Sequence, residues 1–395
     1  MTTPPMLLTG ARVVTPEAVL DAGVVLVADG IIVAVLDEER DKVRLGPLAQ
    51  DVLRSAERVE LPGGYLVPGL VDLHVHGAAQ AGYDDGARAI ATAVQAHRRH
   101  GTTTTLLSLI TATPDRMVAA IRGAVDAAST DPRIRGIHLE GPFLADSRRG
   151  AHDPRKLLAP DPAVLDRFLG AGQGLIRMIT MAPELPGGLD LVRAMVSHGV
   201  HAAVGHSDAD YAQAAAAFAA GADIVTHAFN AMRPLHHRDP GVIAAARDAG
   251  AVLEAINDGV HLHDATVRLL HAVAPDRLAL ITDAMAAACA ADGHYLLGSL
   301  DVDVEGGVAR LSEGGSIAGS TLTMDRALRR AVTEVGLDIV DAVNAATRVP
   351  ARFLGLEREI GAVEPGLAAD LVIFDDAWQV RAMLLAGAWA DERRP

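Results

Sequence analysis

V-D-L-H-V-H-G, residues 71–77, decides the architecture of this 395-residue chain. Val71, Leu73 and Val75 alternate with Asp72, His74 and His76, and the strand period of two puts both imidazoles on one face. Short apolar strands recur outward from it, at 69–75, 102–108, 134–139, 200–205, 222–226 and 278–282. Ala-rich stretches of helical character separate them; within them, Ala214 to Ala217 favours helix strongly. Such alternation predicts a parallel sheet, closed or doubly wound by its helices. The first sixty residues break the rhythm: A-R-V-V-T-P and G-V-V-L-V-A-D-G-I-I-V-A-V-L read as V-rich strands with Gly and charged turns, a small β domain. Near the other end, A-D-L-V-I-F-D and Q-V-R-A-M-L-L-A-G return to strand, turn and strand.

Length and composition narrow the function. A chain of this size suits one large catalytic domain plus a minor one. Hydrophobic residues make up 50% of it, yet no apolar run is long enough to cross a bilayer. With 35 Lys and Arg against 50 Asp and Glu, the formal charge is -15, so no general basic field attracts a nucleic-acid backbone. Aromatic content of 3% also removes the stacking platforms of a single-strand binder. An anionic substrate must therefore be held by local cations. The amino terminus, M-T-T-P-P-M-L-L-T-G, lacks a secretory pattern, and the one cysteine, Cys289, cannot form an internal disulfide. A reducing cytoplasm is expected.

Metal-grade side chains follow the strands. His74 and His76 lie in the opening stretch, Glu140 in H-L-E-G-P-F, His206 in G-H-S, His227 in T-H-A-F-N-A-M and Asp283 in T-D-A. Imidazole and carboxylate groups of this kind suit one or two divalent ions that activate water. A His-x-His pair alone is weak: with 16 His, chance supplies about 0.6 such pairs, and His261 with His263 forms a second. Strand ends carry the argument, because the carboxyl ends of barrel strands are where active sites lie. Each residue also has a plainer reading. The histidines could be structural or satisfied core groups, Glu140 an exposed turn residue, and Asp283 a helix N-cap before A-M-A-A-A-C.

In this order the motifs resemble the amidohydrolase superfamily and, within it, the N-acetylglucosamine-6-phosphate deacetylases; H-L-E-G-P-F and T-H-A-F-N-A-M are the specific pieces. The resemblance runs from V-P-G-L-V-D-L-H-V-H to G-L-A-A-D-L-V-I-F-D and so covers most of the chain. It implies a (β/α)8 TIM-like barrel over residues 69–355, beside a β-sandwich domain built from both chain ends, 1–68 with 356–395. It implies a metal-dependent hydrolase that removes acetate from N-acetylglucosamine 6-phosphate. His74, His76, Glu140, His206, His227 and Asp283 would form the metal centre, with Asp283 also the proton shuttle. Zinc is expected, although His with carboxylate also accepts iron, manganese, cobalt or nickel. Some members lack the His-x-His pair and use one ion; this chain keeps His74 and His76, so two ions are open to it.

The resemblance also assigns the substrate contacts. Arg238 and His261 match positions that hold the phosphate in similar deacetylases, the arginine reaching across a homodimer interface, while Asn230 and Ala231 line the same end. R-R-G-A-H-D-P, residues 148–154, would present Ala151 and His152 to the sugar. G-S-I-A-G-S-T-L-T-M, residues 315–324, would close over the acetamide with Ile317, Ala318 and Gly319. Without the resemblance Arg238 reads as a solvated loop arginine. N-acetylgalactosamine 6-phosphate or another N-acyl compound is the rival substrate. An inactive scaffold of the same fold is the rival from another class, and it would be expected to lack ligands.

Overall fold

The computed structural model describes residues 4–37 and 52–390. Residues 1–3, 38–51 and 391–395, all within the β domain expected at 1–68 and 356–395, lie outside the described residues. Eight strands form one sheet in sequential order: β1 (Leu70–Asp72), β2 (Thr102–Ile110), β3 (Ile134–Glu140), β4 (Ile176–Met181), β5 (His201–Val204), β6 (Ile224–Val225), β7 (Val252–Ile256) and β8 (Leu278–Ile281). Pairing from β2 through β8 is parallel throughout. A parallel bridge between Val75 and Ala284, with Asp283 N donating to the His74 carbonyl at 2.8 Å, joins the segments that follow β1 and β8. The ring is thereby nearly closed, and the architecture is the (β/α)8 barrel expected.

Seven helices alternate with the strands: α1 (Ala87–Arg98), α2 (Pro114–Thr130), α3 (Pro162–Gly172), α4 (Gly188–Ser197), α5 (Tyr211–Ala219), α6 (Gly241–Ala249) and α7 (Asp264–Val273). Their starts carry local signals. Pro lies in the first turn of α2 and α3, Asp161 caps α3, and Asp210 with Gln213 makes a capping box on α5. β2, β3 and β8 are almost wholly buried, as strands covered on both faces must be.

Two strands escape the sequence pattern. β4, I-R-M-I-T-M, and β7, V-L-E-A-I, interrupt their apolar runs with Arg177 and Glu254. A three-stranded antiparallel sheet of Gly293–Leu297, Leu300–Glu305 and Val308–Leu311 was also not expected. β1 is shorter than the 69–75 expected, because Val75 pairs only through its single bridge.

The chain divides into two compact units. One holds Asp72–Arg98 and Thr104–Ala327; the other comprises the described residues of Met1–Val71, Arg99–Thr103 and Leu328–Pro395. The second contains a four-stranded sheet of Met6–Thr9, Gly23–Ala28, Ile31–Asp37 and Glu57–Glu60. Its six-stranded sheet runs Ala388–Trp389, Val380–Leu385, Leu371–Phe374, Tyr65–Pro68, Arg12–Val14, Val19–Leu20. Leu371–Phe374 lies antiparallel to Tyr65–Pro68, so the tail pairs with the early strands as expected. Leu8, Val25 and Ile32 from the first sheet pack with Val13, Leu66, Leu371 and Ile373 from the second in one core.

Candidate metal centre

The metal-grade side chains meet at the carboxyl ends of the barrel strands. Glu140 is the last residue of β3; His74, His206, His227 and Asp283 each lie two residues past the end of β1, β5, β6 and β8. His206, His227 and Asp283 take left-handed backbone conformations, with φ of 48°, 28° and 49°. Such strain costs of order 1–3 kcal/mol per residue and persists where the surroundings impose it, commonly at functional sites.

All six groups are buried, from 0% exposure at His74 to 8% at Asp283. Glu140 is the hub. Its Oε1 lies 3.1 Å from both His206 Nε2 and His227 Nε2, and its Oε2 lies 3.2 Å from His76 Nε2. His74 Nε2 is 3.1 Å from His76 Nε2, and His206 Nε2 is 3.0 Å from His227 Nε2. Asp283 Oδ1 closes the group at 3.5 Å from His74 Nε2 and 3.4 Å from His76 Nε2. Four imidazole nitrogens and two carboxylates facing one another this closely suit a divalent cation. Ligands about 2.05 Å from a tetrahedral ion stand roughly 3.3 Å apart, in the range seen here. The donor set fits a divalent metal. His74, His76 and Glu140 form one compact ligand group, and Glu140, His152 and His206 form another. His152, expected at the sugar, therefore also stands within reach of a metal, with Nε2 3.4 Å from Glu140 Oε2.

Charge in the cluster is unevenly shared. Burial opposes ionisation of Glu140 and Asp283, but the neighbouring imidazoles, His74 foremost, override it. They hold Glu140 well below the usual carboxylate range and Asp283 down to about 2. Burial would lower His76, yet Asp283 and Glu140 push it up to about 9. His152 goes the other way, to about 4, through burial and the proximity of His206.

A polar layer beneath the ligands was not read from the sequence. Asp72 accepts from Thr282 Oγ1 at 2.6 Å, Thr282 N at 3.2 Å and His74 N at 3.3 Å, joining β1 to the segment after β8. Burial pushes its carboxyl up to about 7 against those bonds. His138 bridges Ser108 Oγ at 2.9 Å and Thr180 Oγ1 at 2.7 Å, and Thr180 continues to Thr226 Oγ1 at 2.7 Å. Glu254 Oε2 lies 3.1 Å from His74 Nδ1. Period-two placement could have found His138, two residues before Glu140 on β3, and Glu254 stands out as a charge inside an apolar strand.

A cavity of about 280 Å³ opens over the centre, lined by His76, Glu140, His206, His227 and Asp283. Ala151, His152, Asn230, Ala231, His261, Ile317 and Gly319, the positions the resemblance assigns to the substrate, also line it. Three expected residues do not. His74 is fully buried beneath it. Ala318 turns into a small core with Met285 and Val302 and donates its amide to Ala309, because alternate residues of the extended segment face opposite ways. Arg238 is in an exposed loop, Nη1 2.7 Å from His237 Nε2, and does not reach the cavity of its own chain. Asp283 is no helix cap either, since the segment after it forms turns. Ile110, Ser147, Arg148, Gly150, Ile256 and Leu297 complete the lining, and none of them was assigned a contact from the sequence.

This barrel, with a hydrolase ligand set at its strand ends, belongs to the amidohydrolase family, which the chain matches over residues 65–390. Its relatives narrow the class to deacetylases of amino-sugar phosphates. It is 35% identical to the N-acetylgalactosamine-6-phosphate deacetylase of Escherichia coli O157:H7, over 96% of this chain and 97% of that one. It is 34% identical to the N-acetylglucosamine-6-phosphate deacetylase of Vibrio furnissii, over 85% and 86%. Among solved structures it is similar to an N-acetyl-D-glucosamine-6-phosphate deacetylase mutant from Mycobacterium smegmatis in complex with N-acetyl-D-glucosamine-6-phosphate. That match has a TM-score of 0.90 and 41% identity and covers 98% of this chain and 99% of that one.

Proposed function

We propose that this chain is the hydrolase that converts N-acetylglucosamine 6-phosphate and water to glucosamine 6-phosphate and acetate. The carrying observation is the convergence of His74, His76, His206 and His227 on the Glu140 carboxylate under a sugar-sized cavity. A neighbour at 41% identity holds that sugar phosphate. A divalent ion, zinc by our reading, held by His74, His76, Glu140, His206, His227 and Asp283, would polarise the acetamide carbonyl and make water nucleophilic at neutral pH. One or two ions fit this donor set.

The chain's own groups supply the rest. Asp283, held ionised by the imidazoles beside it, is the base that takes a proton from the attacking water. As the new carbon–oxygen bond forms and the carbon–nitrogen bond breaks, Asp283 returns that proton to the departing amine. Ile317 and Gly319 border the acetamide end, with Ala318 buttressing them from the core, and Ala151 and His152 face the sugar. Asn230, Ala231 and His261 form the phosphate end. Arg238, in an exposed loop outside the lining of its own cavity, serves the phosphate of a second copy in a homodimer. Each charge-assisted bond to phosphate contributes roughly 1.5–3 kcal/mol. We place the enzyme in the cytoplasm, and assign catalysis to residues 69–355 and a separate β domain to residues 1–68 and 356–395.

The galactosamine epimer is a second reading, favoured by the 35% identical relative. Amine release from N-acetylglucosamine 6-phosphate, its galactosamine epimer and unphosphorylated N-acetylglucosamine, with and without a chelator, tests both. We expect metal-dependent release with preference for the phosphorylated glucosamine compound. Release that ignores the phosphate, or survives complete removal of metal, would overturn the assignment.

A further inference from the structure

Glu254 sits in the middle of β7 with no exposed surface, in a strand otherwise made of Val252, Leu253, Ala255 and Ile256. An isolated carboxylate is expensive to bury and is retained where it is hydrogen-bonded. Its Oε2 lies 3.1 Å from His74 Nδ1 and accepts from the backbone N–H of His227 at 3.1 Å. Its own carbonyl accepts from Ala228 N at 2.8 Å. One oxygen thus touches a ligand from the β1 side of the ring and the backbone of a ligand from β6. His74 has its other nitrogen turned to His76, Glu140 and Asp283, at 3.1, 3.6 and 3.5 Å.

We propose that Glu254 is the positioning residue of the centre. By accepting the Nδ1 proton of His74 it fixes the tautomer whose Nε2 lone pair faces the ligand group, and it anchors His227 through the same oxygen. It touches no substrate; its effect is on how tightly the His74 and His76 side of the cluster holds an ion. Outer carboxylates on metal-bound histidines generally alter affinity 10- to 100-fold. The inference rests on the metal-centre reading above.

The test is zinc affinity by chelator competition, with stoichiometry by elemental analysis, on the intact chain and on Glu254→Gln, Glu254→Ala, His74→Asn and the paired variants. Glu254→Ala should weaken zinc binding roughly 10- to 100-fold, and Glu254→Gln, which keeps an acceptor, by less. In the His74→Asn background the Glu254 effect should largely vanish. Unchanged affinity in folded Glu254→Ala and Glu254→Gln, or an equal loss without His74, overturns the positioning role. Nitrogen NMR of the zinc-loaded unmutated protein needs no variant to fold: His74 Nδ1 should carry a proton, and a bare Nδ1 overturns the proposal. Failure of the unmutated chain to bind zinc at all would sink the zinc-centre reading and this inference with it, whereas binding indifferent to Glu254 would sink the inference alone.

Discussion

At the scale of the residue, three of the six converging groups adopt left-handed backbone two positions beyond their strands, as His206, His227 and Asp283 do. Their residue types and strand-end placement were legible in the sequence, since short apolar runs stop just before them. Their strain was not, because a positive φ at His or Asp leaves no mark like that of glycine. Asp283→Asn keeps the shape of the side chain and removes the base, so turnover should fall roughly 100- to 10,000-fold with bound metal retained. Near-normal turnover with full metal content would remove Asp283 from proton transfer. Burial disfavours protonated His261, but Asp258, 2.7 Å away, outweighs it and lifts its pKa above 6.5. Any stabilisation from this cation is complete below 6.5 and is lost as pH rises through the higher folded value. The Michaelis constant for the phosphorylated sugar should therefore climb through that range and lose this climb in His261→Asn; a flat profile in the unmutated protein, or the same climb in the variant, would exclude His261 from phosphate binding. Arg238→Ala should raise the Michaelis constant far more than it lowers turnover; an unchanged constant would contradict the phosphate role given to it.

At the scale of the element, the barrel was readable where β-branched and apolar residues ran together, as in the Thr102–Leu107 part of β2 and in β8, and was hidden in β4 and β7, where a charge interrupts a short apolar run. Arg177 in β4 and Glu254 in β7 are such interruptions. In β7 the interruption is itself informative, because the charge serves the ligands rather than solvent. The sheet formed by residues 293–311 has a local signature in D-V-D-V-E before Gly306 and Gly307, alternation followed by turn residues. Close packing of strand ends gives a further test at Gly205, where an added Cβ would stand 2.6 Å from Thr226 Cβ and 2.8 Å from Thr180 Cγ2. Gly205→Ala should force apart the ends that present His206 and His227, costing about 1–3 kcal/mol and weakening metal retention. Unaltered melting and metal content would mean that these ends yield without cost.

At the scale of the whole molecule, closing the ring through Val75 and Ala284 draws distant parts of the chain around one charged cluster. A cation held only by the folded state adds stability by mass action, about 2.7 kcal/mol when free metal is a hundred times its dissociation constant. Stripping metal should therefore lower the melting temperature and zinc should restore it; identical melting curves would argue that the ligands contribute nothing to holding the ring together. The six-stranded sheet has a consequence for synthesis. Pro68 leaves the ribosome long before Leu371, its partner across the antiparallel pair. At 5–20 residues per second the intervening chain takes roughly 15–60 seconds to emerge. Through that interval one edge of Tyr65–Pro68 waits without its neighbour, an opening for mispairing between nascent chains on the same message. Arrested chains ending near residue 365 should be cleaved there by protease far faster than the finished protein, and equal resistance would show that something else shields the edge.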